Sequence, residues 1–255
     1  MLKCPKCNEK LIKIDKSFKC INNHTYDIAK QGYVNLYLKN KTNSGDNGLM
    51  VKARTAFLEN DDYDFMRQNV KDKIPYDSLY VDAGCGQGYY TKEFACNAKE
   101  SYGIDLSKEA ILYASKQDKK TQYVVGSLFN MPFYDESIDV VTSIFVPLGQ
   151  EEIHRILKKE GTWIVVGPGP KHCLELKERL YDSVYENELP EETIDGFEMV
   201  SREMISQKNY VEDIWSLLEM TPYRYKTDPK ALETIRNCEG FEVTFEFIIT
   251  TWRKL

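Results

Sequence analysis

Three cysteines and one histidine near the start of the chain have the spacing of a metal site. Cys4 and Cys7 are two residues apart, and Cys20 and His24 follow as a second pair, which gives C-x2-C-x12-C-x3-H. Two such pairs on facing turns offer three thiolates and one imidazole, a tetrahedral donor set suited to Zn2+. Because protein side chains fill all four positions, we expect a structural zinc ion. The alternative is a set of free cysteines beside an unrelated histidine.

A second chemical pattern follows a short apolar run in the first third of the chain. Asp82 is followed by glycines at every second position, Gly84, Gly86 and Gly88, and then by a helix-compatible segment. A strand that turns through glycines into a helix brings bare backbone against a ligand. A dinucleotide fingerprint would need a glycine three places after Gly86, where this chain has a tyrosine. Asp82 would also repel a pyrophosphate, so the pattern favours a cationic ligand without phosphate. The alternative is a tight turn that binds nothing.

S-adenosylmethionine (SAM) meets these requirements, because it carries an ammonium, a sulfonium and a ribose but no phosphate. The glycine stretch resembles the first motif of SAM-dependent methyltransferases. Asp105 ends the next strand-like run, about 20 residues after the loop, where an acid can accept hydrogen bonds from ribose hydroxyls. Many such enzymes have another acid after the third strand. This chain has Ser127 there, so we expect adenine recognition to depend on backbone and packing.

Strand-like and helix-like segments alternate from residue 79 onward, which is typical of a parallel sheet covered by helices on both faces. Strands are expected at about 79–82, 101–105, 121–125, 138–144, 162–166, 196–206 and 241–252, and helices at about 89–97, 107–117, 149–157, 170–187, 210–219 and 228–237. A hairpin-like last strand would complete a seven-stranded sheet. The predicted fold is therefore α/β, a Rossmann-like seven-stranded SAM-dependent methyltransferase domain. A further helix is expected at residues 49–58, with Arg54 on its polar side.

The charge of the chain is divided unevenly between its two ends. Residues 1–60 hold 11 basic and 5 acidic side chains, whereas residues 61–255 hold 23 and 35, for a net charge of −6. A basic front end on an acidic body is expected if the front end contacts nucleic-acid phosphate. The alternative is a solvated lysine-rich surface. We divide the chain into a zinc-binding module at 1–36, a linker with helices at 37–75, and the methyltransferase domain at 76–255.

The composition also bears on the compartment. No stretch approaches the ~18 apolar residues of a membrane span, and no basic-then-apolar signal segment begins the chain. Seven cysteines without such a signal argue against a disulfide scaffold. We therefore expect a cytoplasmic protein without a membrane partner.

Taken together, the motifs resemble one family, the 23S ribosomal RNA guanine-N1 methyltransferases, which are zinc-containing and SAM-dependent. The resemblance covers nearly the whole chain. The matching segments are the zinc motif, Ala29–Leu36, Ser44-Gly-Asp-Asn, Ala53-Arg54 with Phe57-Leu58, Tyr63, the glycine loop through Thr91, Gly103–Lys108, Met131-Pro-Phe, Gly167-Pro-Gly-Pro-Lys-His172, Leu174–Lys177 and Met220-Thr-Pro. The zinc spacing joined to the Gly-Pro-Gly-Pro-Lys-His segment is more specific than the glycine loop alone.

The resemblance implies site residues and a substrate. Tyr63, Gly86, Gln87 and His172 would contact SAM, although a lone histidine at a helix start is otherwise more often a surface residue. The substrate would be a guanine in a 23S rRNA hairpin, gripped by the basic zinc module. The alternative is a methyltransferase for a small metabolite. Phe145, after the fourth strand, would either stack on the target base or belong to the core. The residues identify no catalytic base, and they leave a homodimer open.

Overall fold

A computed structural model describes residues 1–38 and 48–255 of the chain. The segment Ser44-Gly-Asp-Asn lies outside these described residues. Every helix within them is too short or too polar to cross a lipid bilayer.

The front end of the chain forms a small antiparallel sheet. Its three strands are β1 (Ile12–Ile14), β2 (Ser17–Lys19) and β3 (Thr25–Asp27), in the order β1-β2-β3. Asp15 adopts φ +52° between β1 and β2, a left-handed conformation that aspartate tolerates better than most residues. Phe18 of β2 is buried, whereas all of β1 is exposed. So small a sheet cannot supply a core of its own, which is why it needs a metal or a neighbouring surface.

The rest of the chain is built on one central sheet. Its strands are β4 (Val34–Asn35), β5 (Ser78–Ala83), β6 (Ala98–Asp105), β7 (Gln122–Val125), β8 (Ile138–Ile144), β9 (Leu157–Pro168), β10 (Phe197–Val211) and β11 (Phe241–Lys254). Their order is β10-β11-β9-β8-β5-β6-β7-β4. Strands β4 to β9 pair in parallel, and β11 lies antiparallel between β9 and β10.

Helices cover both faces of this sheet. They are α1 (Gly48–Leu58), α2 (Asp64–Lys71), α3 (Tyr89–Phe94), α4 (Lys108–Gln117), α5 (Gln150–Ile156), α6 (Leu174–Leu180), α7 (Ile214–Glu219) and α8 (Pro229–Arg236), with a 3-10 turn at Pro222–Tyr225. Helix α4 begins after Ser107, whose hydroxyl accepts a hydrogen bond from the Ala110 N–H, as expected for a serine N-cap.

The Rossmann-like seven-stranded prediction is confirmed, with one strand added at the edge. The order β7-β6-β5-β8-β9-β11-β10 contains the seven predicted strands, and β4 pairs with β7 as an eighth. A two-residue strand carries too little periodicity to be found from sequence. The last two strands are longer than predicted because β10 and β11 pair along almost their whole length, from Phe197 opposite Lys254 to Val211 opposite Phe241. The helix predicted at 170–187 is shorter, because the chain becomes extended at Tyr181.

The hydrophobic core joins the small sheet to the large one. One buried cluster contains Leu2, Phe18 and Val34 from the front end together with Tyr102 and Trp163 of the central sheet. The backbone N–H of Lys3 also donates to the carbonyl of Pro132 at 2.9 Å. The zinc module predicted at 1–36 therefore packs directly on the body, and its last residues belong to the body's sheet.

Candidate functional site

The four predicted zinc ligands converge at the front end. Their ligand atoms all lie within 4.8 Å of one another, on Cys4, Cys7, Cys20 and His24. The Sγ atoms of Cys7 and Cys20 are 3.7 Å apart, and the His24 Nδ1 lies 3.5 Å from Sγ of both Cys4 and Cys20. Zinc bonds of about 2.3 Å to sulfur and 2.0–2.1 Å to nitrogen give tetrahedral edges of about 3.8 Å for S···S and 3.6 Å for S···N. The cluster therefore has the donor types and the size that a tetrahedral zinc ion requires.

Local backbone geometry explains how the cluster is held. Asn8 and Asn23, one in each ligand turn, adopt φ +60° and +62°, which asparagine tolerates better than most residues. Each turn closes with a backbone hydrogen bond, from Asn8 N to Cys4 O and from Asn23 N to Cys20 O. The hydroxyl of Tyr26 lies 3.2 Å from Sγ of Cys4. A donor at that distance stabilises a thiolate and fixes its direction.

The glycine loop between β5 and α3 forms the floor of the candidate cofactor site. Gly84, Gly86 and Gly88 have φ values of +83°, +52° and +83°, a backbone conformation that residues other than glycine rarely adopt. A Cβ atom on Gly84 would lie 2.4 Å from Val146 Cγ1, and one on Gly88 would lie 2.8 Å from the Tyr123 hydroxyl. Glycine is required there by both conformation and space. The loop backbone is therefore bare on the side that a ligand would approach.

Asp82 lies beneath this loop rather than at its surface. Its side chain is only 2% exposed. One carboxylate oxygen accepts a hydrogen bond from the Thr91 hydroxyl at 2.5 Å, and the other accepts one from the Thr142 hydroxyl at 2.9 Å. Burial raises the pKa of Asp82 to about 6, against the lowering effect of these two hydroxyls. The Asp82 carboxyl is thus mainly ionised at pH 7 and places negative charge under the loop.

Asp105 ends β6, as predicted, and its carboxylate is held by backbone groups. Its oxygens accept hydrogen bonds from the Gly86 N–H at 3.0 Å and from the Ser107 N–H at 2.7 Å. Burial raises the pKa of Asp105, while these two N–H groups and the Arg54 guanidinium act in the opposite direction. A carboxylate oriented in this way still has lone pairs for further donors such as ribose hydroxyls.

Two of the predicted SAM contacts have buried polar atoms without a partner among the described residues. They are Nε2 of Gln87 and Nδ1 of His172. Buried polar atoms are normally hydrogen-bonded, so an orphan atom in a crevice indicates a missing ligand or water. For His172 the backbone carbonyl of Glu246 lies close enough to affect the pKa, but not in hydrogen-bonding geometry. The loop, Asp105 and the Gln87 amide thus fit a ligand with ribose and amino-acid groups.

Tyr63 and His172 meet although 109 positions separate them in the chain. The Tyr63 hydroxyl lies 3.2 Å from Nε2 of His172, and both side chains are buried. Burial lowers the pKa of His172 to about 4 and raises that of Tyr63. Both are neutral at pH 7, so neither is an effective general base. They pack with Phe245 and Phe247 of β11, which explains why a histidine at a helix start is buried here.

Phe145 lies next to this aromatic cluster, at the carboxyl end of β8. Its ring is 43% exposed, so Phe145 is not simply a core residue. Its ring centroid is 5.9 Å from that of His172 and 5.7 Å from that of Phe247. Its backbone has φ +55°, a conformation that is costly for a bulky side chain and recurs at functional sites. The ring is therefore held at the mouth of the site.

Arg54 is a site residue that the sequence reasoning placed wrongly. We expected it on the polar side of its helix, but Nη1 of Arg54 lies 3.9 Å from the position of a Cβ on Gly86. Val51 and Leu58, which are both buried, share its helix face at spacings of three and four residues. That spacing could have identified the inward orientation.

Comparison with known protein families supports both parts of the chain separately. Residues 2–43 match a zinc-ribbon model described as "RlmA, N-terminal", and residues 81–165 match a model described as "Methyltransferase domain". Among solved structures, a Bacillus halodurans protein described provisionally as a methyltransferase superposes with a TM-score of 0.52 at 17% identity, over 74% of this chain and 98% of that one. That likeness concerns the fold alone. Fold and site together define a Rossmann-like, SAM-dependent methyltransferase that carries an N-terminal zinc ribbon.

Full-length relatives identify the family. Bacillus subtilis YxjB, which bears the provisional name of 23S rRNA (guanine-N1)-methyltransferase, is 30% identical over 96% of this chain and 94% of its own length. The 23S rRNA (guanine(748)-N1)-methyltransferase of Streptomyces fradiae is 28% identical over 100% of this chain and 97% of its own length. The chain belongs to the 23S rRNA (guanine-N1)-methyltransferase family.

Proposed function

We propose that this protein transfers the methyl group of SAM to N1 of a guanine in a 23S rRNA hairpin, and that its zinc module binds the RNA. The observation that carries the proposal is a zinc-sized Cys3His cluster whose Cys4 and Cys20 share one buried core with Val81 and Ala83, the residues of β5 that lead into the glycine loop. The relatives that align over nearly the whole of this chain and of their own length bear names for this activity.

We assign the metal to Cys4, Cys7, Cys20 and His24. The protein supplies all four donors, so the ion has no open position for substrate. Its role is to stabilise the fold of the zinc module. We assign the cofactor to Tyr63, Asp82, Gly84, Gly86, Gln87, Asp105 and His172. In this arrangement Asp105 holds the ribose, Gln87 reaches the amino-acid end, and Asp82 acts through its charge from beneath the loop.

When bound, SAM would supply a methyl group that its sulfonium already activates. The main task of the protein is therefore to align this methyl group with guanine N1. Phe145 is the candidate platform for the guanine, since its half-exposed ring stands beside Tyr63 and His172. Bases displaced from RNA loops are commonly held on aromatic side chains. The N1 proton of guanine must leave during transfer. Burial makes Tyr63 and His172 poor bases at pH 7, so in this proposal the N1 proton passes to solvent water, and the catalytic base among the protein side chains is not identified.

The zinc module offers a surface for RNA. Six of its lysines are exposed, namely Lys6, Lys10, Lys13, Lys16, Lys19 and Lys30. The exposed strand β1 alternates Lys13 with Ile12 and Ile14, which are 56% and 46% exposed. The exposed ammonium groups of these lysines would contact the phosphates of the RNA.

The test is methyl transfer in vitro. Purified protein, labelled SAM and 23S rRNA hairpin fragments should give a modified guanine, mapped as a stop in reverse transcription because N1 methylation blocks base pairing. A hairpin with adenine at the mapped position is the matched control. No transfer to any hairpin would refute the proposal. A metabolite methyltransferase would not bind the hairpin, whereas the proposed function predicts RNA binding whose log K falls linearly with log salt.

The lysines and the assembly state can be tested separately. Changing Lys13, Lys16 and Lys19 together to glutamine should weaken RNA binding and flatten its salt dependence without altering SAM affinity. The same change at exposed lysines of the body is the control. A homodimer remains a prediction, which light scattering with and without RNA will test.

A further inference from the structure

Three large apolar side chains are exposed on two loops that follow parallel strands of the central sheet. Phe129, in the loop after β7, is 64% exposed, and Phe145 and Leu148, in the loop after β8, are 43% and 41% exposed. The two loops touch, because a Cβ on Gly149 would lie 2.8 Å from the carbonyl oxygen of Leu128. A single exposed apolar residue needs no explanation, whereas a group of them beside a candidate site indicates a contact surface. The proposed function accounts for Phe145 but not for Phe129.

The backbone of the loop after β7 is held on both sides of Phe129. The hydroxyl of Ser127 accepts a hydrogen bond from the Phe129 N–H at 3.2 Å. Two residues further on, the Met131 N–H donates to the Glu152 carboxylate of α5 at 2.6 Å, and its carbonyl accepts from the Arg155 guanidinium at 2.9 Å. A ring presented by an ordered backbone loses little conformational entropy when it binds. Ser127, at a position where many methyltransferases have an acid, thus orients an exposed aromatic residue.

The same loop also contacts the zinc module. The Lys3 N–H donates to the carbonyl of Pro132 at 2.9 Å, and Lys3 pairs in turn with Lys10, whose side chain is exposed. Phe129 therefore lies in a short stretch with the zinc module at one end and, at the other end, the loop that carries Phe145. An RNA that contacts both the lysines of the module and the ring of Phe145 would pass over this stretch.

We propose that the ring of Phe129 stacks on a nucleotide that flanks the target guanine. This inference rests on the proposed function and deepens it. Residues 126–133 include no acidic or basic side chain, so the loop offers an aromatic face rather than a charge, which suits a base and not a phosphate. Stacking on an aromatic ring tolerates any base. Phe129 would therefore fix the register of the hairpin, so that the target guanine and not its neighbour reaches Phe145.

The experiment measures hairpin binding by the full-length protein, using fluorescence anisotropy of a labelled 23S rRNA hairpin fragment. Phe129→Ala should weaken binding about 5- to 150-fold, the range for loss of one stacked base. Phe129→Trp should bind at least as tightly as wild type, whereas Phe129→Leu, which is apolar but cannot stack, should resemble the alanine variant. SAM affinity in calorimetry should stay unchanged. Tyr76→Ala is the matched control, because Tyr76 is 83% exposed but precedes β5, at the opposite edge of the sheet.

A second set of hairpins identifies the stacked nucleotide. Each nucleotide that flanks the methylated guanine is made abasic in turn. Wild-type protein should lose affinity for one of these hairpins, and Phe129→Ala should lose no further affinity for that same hairpin, because the two changes remove one interaction.

Three results would overturn the inference. They are unchanged hairpin affinity of Phe129→Ala, additive losses with every abasic hairpin, and a parallel loss of SAM affinity, which would place Phe129 on the cofactor. If wild-type protein still methylates the hairpin in those cases, the proposed function stands. Failure of the wild type to bind and methylate any hairpin would refute both the inference and the proposed function.

Discussion

Replacing Asp82 with asparagine should stabilise the protein while weakening its function. The carboxylate is 2% exposed, and its pKa rises from 3.8 to about 6 on folding. Each pKa unit corresponds to about 1.36 kcal/mol, so burial of the charged form costs about 3 kcal/mol at pH 8. Rearranging the hydrogen bonds from Thr91 and Thr142 costs about 1 kcal/mol, since their hydroxyls can rotate to accept from an amide. The net gain at pH 8 should be about 2 kcal/mol.

The pH dependence identifies the cause of that gain. Above pH 6 the Asp82 carboxyl is ionised in both folded and unfolded chains, and the full penalty applies. As the pH falls through about 6, the folded state takes up a proton before the unfolded state does, so wild-type stability rises relative to the variant. Between pH 8 and pH 5 the stability difference between Asp82→Asn and wild type should shrink by about 1 kcal/mol. Comparing variant with wild type at each pH cancels the contributions of other carboxyl groups.

The assay is urea-induced unfolding at pH 5 and pH 8, with SAM affinity measured by calorimetry on the same samples. SAM should bind more weakly to Asp82→Asn, because a neutral amide no longer attracts the sulfonium and ammonium. S-adenosylhomocysteine, which lacks the sulfonium charge, should be affected less. The exposed Asp182→Asn is the control and should show neither change. A variant less stable than wild type at pH 8, or a stability difference that is equal at both pH values, would refute this account of Asp82.

Three further changes test the rest of the site. Asp105→Ala should weaken SAM by about 1–3 kcal/mol, or about 5- to 150-fold, through loss of the ribose contact; unchanged affinity in calorimetry would show that the ribose binds elsewhere. Cys7→Ser should abolish stoichiometric zinc, measured by elemental analysis, and should reduce RNA affinity far more than SAM affinity; retained metal would contradict the ligand set. Phe145→Ala should remove about 1–3 kcal/mol of stacking energy with the base, and so lower kcat/KM for the RNA, while SAM affinity stays unchanged. Phe145→Tyr should be nearly as active as wild type. An alanine variant with unchanged kcat/KM would exclude Phe145 as the platform for the base.

The parts of the site that could be predicted from sequence are those encoded locally. The ligand pairs beginning at Cys4 and Cys20 lie within single turns, and the glycines after Asp82 encode a backbone shape that needs no distant partner. Asp105 was found because a strand end and a loop end come together in any parallel βαβ unit. In each case the separation of the residues in the sequence determines how close they lie in the folded structure.

The parts that could not be predicted depend on packing between distant segments. Nothing near Tyr63 in the sequence indicates His172, yet their side chains meet at 3.2 Å because β11 brings Phe245 and Phe247 between the two regions. The inward orientation of Arg54 depends on where α1 docks. The resemblance supplied Tyr63 and His172 without a physical reason, and the structure provides one in their shared burial.

The zinc module and the methyl-transfer site are joined by a short route through the sheet. Strand β4 covers β7, which would otherwise be an exposed edge strand and prone to unwanted pairing. The next residue after β7, Gly126, donates its N–H to the Asp105 carbonyl at 3.0 Å, and Lys3 fixes the far end of the same loop at Pro132. The surface of this module that is proposed to bind RNA is thereby held in fixed register with the residues assigned to the methyl donor. In-line transfer requires such alignment, because small displacements of the reacting atoms sharply reduce the rate.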